Sequence, residues 1–146
     1  IRKRTPMHLC ASMGLLNKVQ LARLKEAGIS RYHCNLESSP RFFPGLCSTH
    51  TMEDKIATIR AAQTVGMEVC SGGIIGMGET TEDRIDLALT LRELHIKSIP
   101  INILNPIPGT PLENATALSD DEILTSIALF RLFIPVLIFV LQAVAC

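Results

Sequence analysis

Apolar positions along the chain follow two periods in turn. Short runs at about residues 7–11, 30–36, 67–73 and 98–104 are rich in Ile, Val, Leu, Met, Cys and Tyr and predict strands. Between them the apolar residues are spaced as on one face of a helix. Val19, Leu21, Leu24 and Ala27 follow Asn17, a good N-cap, and stop at Gly28. Ile56, Ile59 and Ala62 follow the capping-box pair Thr51 and Asp54 and stop at Gly66. Ile85, Leu87, Ala88, Leu91 and Leu94 follow Thr80 and Asp83, and Ser119 with Glu122 opens a last helix to about Phe133. Pro100 has no N–H to donate and weakens the pattern of the fourth strand. The segments around Pro40–Gly45 and Asn105–Pro111 read as loops.

Strands that alternate with helices through short connections predict a parallel sheet with helices outside. An open doubly wound sheet would use these four strands as most of a domain. A (β/α)8 barrel needs roughly 250 residues, so 146 residues would be about half of one. Cys10, Asn35, Cys70 and Asn102 recur near the ends of all four strands, where an open sheet concentrates its ligand at one switch point. A ring of contributing strands is the simpler picture. The expectation is an α/β fold, a partial (β/α)8 TIM-type barrel of about four βα units, over residues 1–135, with an apolar tail at 136–146.

Composition narrows the partners. A hydrophobic content of 47% excludes a disordered chain, and 14 basic against 14 acidic residues, interspersed, leave no basic stripe for nucleic acid or an anionic membrane surface. Five cysteines without a Cys-x-x-Cys suit a reducing compartment, with the cytoplasm as default. The amino end lacks the apolar region of a signal peptide and reads as an internal cut. The tail is about half of the ~20 residues a membrane span needs; a truncation or frame error explains it more simply than an anchor. His8, His33, His50 and His95 do not have metal-ligand spacing. Glu53, Asp54, Glu82, Asp83 and Asp120 to Glu122 read as first-turn acids favoured by the helix dipole.

Candidate chemistry concentrates at Met67 to Thr80, which runs from a strand through Gly72, Gly73, Gly76 and Gly78 into an acidic helix start. Glycines beyond the carboxyl end of a parallel strand let the backbone approach a ligand closely. The competing reading is a tight turn with a small buried cysteine. Asn35 and Asn102 sit inside apolar strand runs, where a side-chain amide needs partners that a ligand with polar edges would supply.

Four segments carry a family resemblance: His8-Leu9-Cys10-Ala11-Ser12-Met13-Gly14, Tyr32-His33-Cys34-Asn35-Leu36-Glu37, Val69 to Thr80, and Pro100-Ile101-Asn102-Ile103-Leu104-Asn105-Pro106 with the Ile107 to Pro111 loop. In order and spacing they resemble the biotin synthase family of radical S-adenosylmethionine enzymes, over about residues 5 to 134. The resemblance implies a barrel in which a 4Fe-4S cluster cleaves S-adenosylmethionine, the resulting radical abstracts hydrogen from dethiobiotin, and a 2Fe-2S cluster supplies sulfur. It also implies an electron-donor protein and a homodimer for the full-length family. Cys10 and Cys70 resemble two 2Fe-2S ligands. Gly72, Ile74, Gly76 and Glu79 resemble an element packed near the adenine; Asn35 and Glu37 resemble the pair contacting ribose and substrate; Asn102 resembles the asparagine facing dethiobiotin. The Cys-x3-Cys-x2-Cys loop that holds the 4Fe-4S cluster is absent from the sequence, and the familial pattern stops at Pro135. Cys34 reads as packing and Cys47 as a loop thiol. Alternatives are another radical S-adenosylmethionine barrel with a different substrate, or a non-catalytic remnant.

Overall fold

A computed structural model describes residues 7–135 and 138–145. In chain order the elements are β1 (Cys10–Ala11), α1 (Lys18–Glu26), β2 (Arg31–His33), α2 (Phe43–Leu46), α3 (Met52–Thr64), β3 (Glu68–Cys70), β4 (Gly73–Ile75), α4 (Thr81–Glu93), β5 (Ser98–Asn105), α5 (Asp120–Phe133) and β6 (Ile138–Ala145). Every strand pairing is parallel. β1 pairs with β2 and β2 with β3; β3 and β4 then pair with successive stretches of β5, whose other edge takes β6. Because Cys70 lies opposite Ser98 and Gly73 opposite Ile101, β3 and β4 are one barrel strand interrupted at Ser71 and Gly72. The result is an α/β partial (β/α)8 barrel, an arc of parallel strands with helices on its outer side.

The interruption has a steric cause. A Cβ added at Gly72 would land on the Pro100 carbonyl oxygen, and one at Gly73 on the Glu37 carbonyl and the Leu87 side chain. Both neighbouring strands therefore press on this strand where only glycine fits.

Helix starts follow the caps. Asn17, Thr51, Thr80 and Ser119 each accept from the backbone N–H three residues on, and Gln20, Asp54, Asp83 and Glu122 reach back to the cap's own N–H. Strand register then sorts the core. Ala11, Tyr32 and Val69 lie side by side and face the helices, with Leu21, Ile59, Ala62, Leu91 and Phe130 buried against the sheet. Tyr32 is fully buried, and its hydroxyl donates to the Gly14 carbonyl at 2.7 Å. Cys34 is buried on this same alternation, as packing.

Several boundaries differ from expectation. The first strand shortens to two residues, so Cys10 begins it rather than ends it. The second ends at His33, although the Cys34 and Leu36 N–H groups continue the pairing to the Cys70 and Gly72 carbonyls. The single third strand becomes two. Residues 43–46, expected as loop, form α2, with Pro44 at its first turn, where a missing N–H costs nothing. Pro100 sits in β5 opposite the break between β3 and β4, where the Gly72 N–H turns to Asn35 and the ladder between these strands is interrupted. The expected separate tail falls on 136–146, of which 136, 137 and 146 lie outside the described residues; Ile138–Ala145 pairs with β5. Among the described residues no helix is long and apolar enough to cross a membrane.

Candidate functional site

The sheet's inner face, away from the helices, is built by the same register. Cys10, Arg31 and Glu68 are level with one another; two residues further along, His33, Cys70 and Ser98 are level. Alternation places Asn35 and Asn102 on this face too, with Ile74 opposite Asn102. Asn102 lies four residues beyond Ser98, about 13 Å along the strand at the usual rise per residue. The four residues thus share a face and step along it in the order Cys10, Cys70, Asn35 and Asn102, each two residues beyond the one before.

Of the two thiols on this face, Cys10 is exposed and Cys70 buried. The Ser98 hydroxyl lies 3.4 Å from the Cys70 sulfur. Burial pushes the Cys10 thiol above its ordinary value, the nearby Cys70 thiol adds to that, and the Arg31 guanidinium opposes it. Arg31 is held by Glu68 at 2.7 Å, an exposed pair worth little by itself, and its charge reaches both cysteines.

Polar groups around Asn35 are tied to backbone. Asn35 Oδ1 accepts the Gly72 N–H at 3.0 Å, and its carbonyl accepts from Lys55 Nζ at 2.9 Å. Lys55 Nζ is also 3.7 Å from Glu37 Oε1. Glu37 adopts φ +74°, a left-handed conformation rare outside glycine, and its carbonyl accepts the Ile74 N–H at 2.8 Å. That strain is sustained by pairing to β4 on its far side. Burial lowers the His33 pKa; Glu37 opposes this and Lys55 adds to it. His33, Asn35, Glu37, His50 and Lys55 line a cavity of about 200 Å³. Among the described residues, Asn102 Oδ1 is buried with no hydrogen-bond partner, as is Ser71 Oγ. An unpaired buried acceptor costs about 1–3 kcal/mol, so it marks a place where a donor is wanted.

Glu79 behaves differently from a surface ligand contact. Its Oε1 accepts the Gly76 N–H and Arg84 Nε, and its Oε2 accepts the Met77 N–H, all at 2.8 Å. Arg84 also donates to the Ser126 hydroxyl at 3.0 Å, joining α4 to α5. The carboxylate is therefore spent inside the loop, whose Gly76 and Gly78 take φ +95° and +100°. It shapes the rim by holding backbone.

Sequence reasoning missed three groups that matter here: Lys55, Arg84 and the bridge around Asp83. Asp83 caps α4, but its Oδ1 also accepts from the Ser39 hydroxyl at 2.7 Å and from Arg41 at 3.0 Å. Burial pushes its carboxyl up, and hydrogen bonds from the Thr80 N–H, Ser39, the Thr80 hydroxyl and Arg41 outweigh it, leaving a pKa of about 2. The capping box was readable from spacing; the long-range partners had no local signal.

The chain matches the Radical SAM superfamily over residues 1–91 and the Biotin and Thiamin Synthesis associated domain over residues 100–143. It is 62% identical over 135 residues to a biotin synthase of Heliobacterium modesticaldum and 60% identical over the same length to one of Porphyromonas gingivalis. Each alignment covers 92% of this chain and 41% of the relative, so the chain spans well under half of those proteins. Among solved structures, methylornithine synthase superposes with a TM-score of 0.85 at 21% identity, over 94% of this chain and 41% of that one. The FeFe-hydrogenase maturase HydG from Carboxydothermus hydrogenoformans gives 0.75 at 20%, over 92% and 34%. These two likenesses establish the arc of barrel strands as a shared fold. With the superfamily pattern running over residues 1–91, into α4, and the inner face built as described, the chain belongs to the radical SAM superfamily.

Proposed function

We propose that this chain forms part of the barrel of a biotin synthase-type enzyme, which inserts sulfur into dethiobiotin using S-adenosylmethionine and iron–sulfur clusters. The observation that carries the reading is the inner face itself: two thiols and then two amides, stepped along one face of four successive barrel strands.

The residues fit part of the cofactor set. Cys10 and Cys70, with the Arg31 cation beside them, suit an anionic 2Fe-2S cluster, which such thiolates would hold. Arg31 offsets the charge that two deprotonated thiols bring to one face. The unpartnered Asn102 Oδ1 suits a ligand presenting an N–H, and the ureido ring of dethiobiotin carries two. Asn35 and Glu37, held over the cavity by Gly72 and Lys55, orient polar groups toward S-adenosylmethionine and substrate. Gly72, Ile74 and Gly76 shape the wall, and Glu79 positions it from behind. The clusters and S-adenosylmethionine together supply one-electron chemistry and sulfur that protein side chains lack. This chain does not fit the 4Fe-4S cluster, because the sequence has no Cys-x3-Cys-x2-Cys. Residues 1–135 serve as barrel; an electron-donor protein, a homodimer and a cytoplasmic location belong to the same proposal.

The test places these residues in a full-length relative reconstituted without oxygen. Cys10→Ala or Cys70→Ala should abolish biotin formation and remove 2Fe-2S absorption while leaving the 4Fe-4S signal. Equal loss of both signals would mean misfolding; retention of both would refute the ligand assignment. The 146-residue chain alone should give no 5′-deoxyadenosine above a no-protein control.

A further inference from the structure

The connection from β2 to α3 carries a cluster that the proposed chemistry does not use. Cys47 follows α2 directly and its sulfur lies 3.4 Å from Thr49 Oγ1, 3.4 Å from His50 Nδ1 and 3.8 Å from His50 Nε2. Thr49 Oγ1 and His50 Nδ1 are 3.0 Å apart, so hydroxyl, imidazole and thiol meet in one triangle. The His50 ring is fixed from its other side by Phe43, with centroids 5.7 Å apart, and the Lys55 ammonium sits 5.6 Å over that same Phe43 ring. Unlike Cys34 and Cys70, Cys47 is not buried.

We propose that Cys47 is a modification site: a reactive thiol, set up by Thr49 and His50, that exchanges with small-molecule disulfides at the edge of the Asn35–Glu37 cavity. A thiolate is the nucleophile in such exchange, and donors converging on sulfur stabilise it. The Thr49 hydroxyl, then the backbone N–H groups of Thr49 and His50, and lastly the Lys55 charge hold the Cys47 thiol below its ordinary value. The charged and titratable groups around it are His50, Lys55 and, beyond the imidazole, Asp54. In the exchange the Cys47 proton passes to His50 or to water. The thiolate attacks one sulfur of the disulfide, a new S–S bond forms as the old one breaks, and the second sulfur leaves as a thiolate. Since His50 lines the cavity, a group attached at Cys47 displaces the imidazole and alters the wall facing Asn35, Glu37 and Lys55. This inference rests on the Cys47 cluster and not on the biotin synthase reading.

Exposure and activation make opposite forecasts. By exposure alone Cys10 should react first, since it is an exposed thiol and Cys47 is half-buried. The cluster forecasts the reverse. Treating the chain with a limiting amount of hydroxyethyl disulfide, followed by peptide mass spectrometry, gives a rate for each cysteine from pH 5 to 10. Cys47 should react at least tenfold faster than Cys10, Cys34 or Cys70 at pH 7, with a midpoint below that of an ordinary thiol. His50→Gln should cut its rate about tenfold near neutral pH and move the midpoint up, and Thr49→Val should do so less. In 6 M urea the advantage should vanish, which separates a folded cluster from intrinsic reactivity. A Cys10 rate equal to or above that of Cys47, or a Cys47 rate unchanged by His50→Gln in a chain with native circular dichroism, would overturn the proposal.

Discussion

Two loops leave the sheet at the same end and are built in opposite ways. The connection from β4 to α4 spans only Gly76 to Thr80, and nearly every polar group in it is used internally, by Glu79 and the Thr80 capping box. The connection from β2 to α3 runs from Cys34 to Thr51 and is anchored at points: Ser39 and Arg41 on Asp83, Asn35 on Gly72, Lys55 on the Asn35 carbonyl. Between those anchors it leaves Cys47, His50 and Glu37 with unused chemistry. A rim that must hold shape spends its side chains on its own backbone, and a rim that must meet other molecules keeps some of them free.

The largest way to break this comparison is to remove the internal carboxylate. Glu79→Gln strands Arg84, since both side chains are almost fully buried, and breaking a buried pair costs about 3–5 kcal/mol. Urea unfolding should show that loss, and a change under about 1 kcal/mol would mean that the glycines alone shape the loop. Next comes Gly72→Ala, whose methyl group meets the Pro100 carbonyl, a backbone atom that cannot swing aside. It should cost at least about 1–3 kcal/mol as overpacking. Gly45→Ala, in the other loop and with nothing within 4 Å of the added carbon, should be neutral or stabilising by up to about 1 kcal/mol.

Asp83 joins the two loops and gives a pH signature. Its folded pKa is depressed to about 2 from an ordinary value of 3.8, so its contribution is complete above the ordinary value. It is lost as pH falls from about 4 through about 2, and amounts to roughly 2 kcal/mol. Acid titration of unfolding stability should show this segment, and Asp83→Asn should remove it. The smallest effect belongs to His50→Gln, which should change stability by no more than about 0.5 kcal/mol while slowing Cys47. If His50 proves as costly as Glu79, the second loop is structural as well and the contrast between the loops fails.

Much of the candidate site was legible before folding was considered, for a local reason. Cys70, Gly72, Ile74, Gly76 and Glu79 lie within ten residues of chain, so their order and spacing survive in a one-dimensional reading. Asn35 and Asn102 stand out because an amide in an apolar run lacks local partners, and the structure gives Asn35 one in Gly72 and leaves Asn102 Oδ1 without any among the described residues. Lys55 was hidden because its role depends on reaching Asn35 and Glu37 across twenty and eighteen residues from within a helix. The sequence marks Cys47 only as a loop thiol, because the backbone turn that folds Thr49 and His50 onto its sulfur leaves no pattern in composition.

What the sequence by itself determined is local: the Asn17 cap and three capping boxes start four helices, alternating strands and helices dictate parallel pairing, and period-two alternation sends Tyr32 and Val69 outward with Arg31 and Cys70 inward. Only the tertiary structure decided where the third strand breaks, because the limit is the Pro100 carbonyl on a neighbouring strand. It also decided that Glu79 is a clasp and not a free ligand, since Arg84 and the Gly76 and Met77 amides converge on it only once α4 has docked. Hydrogen-bond capacity is written in residue types, but which partner uses it is settled by packing, which brings distant stretches of backbone within 3 Å.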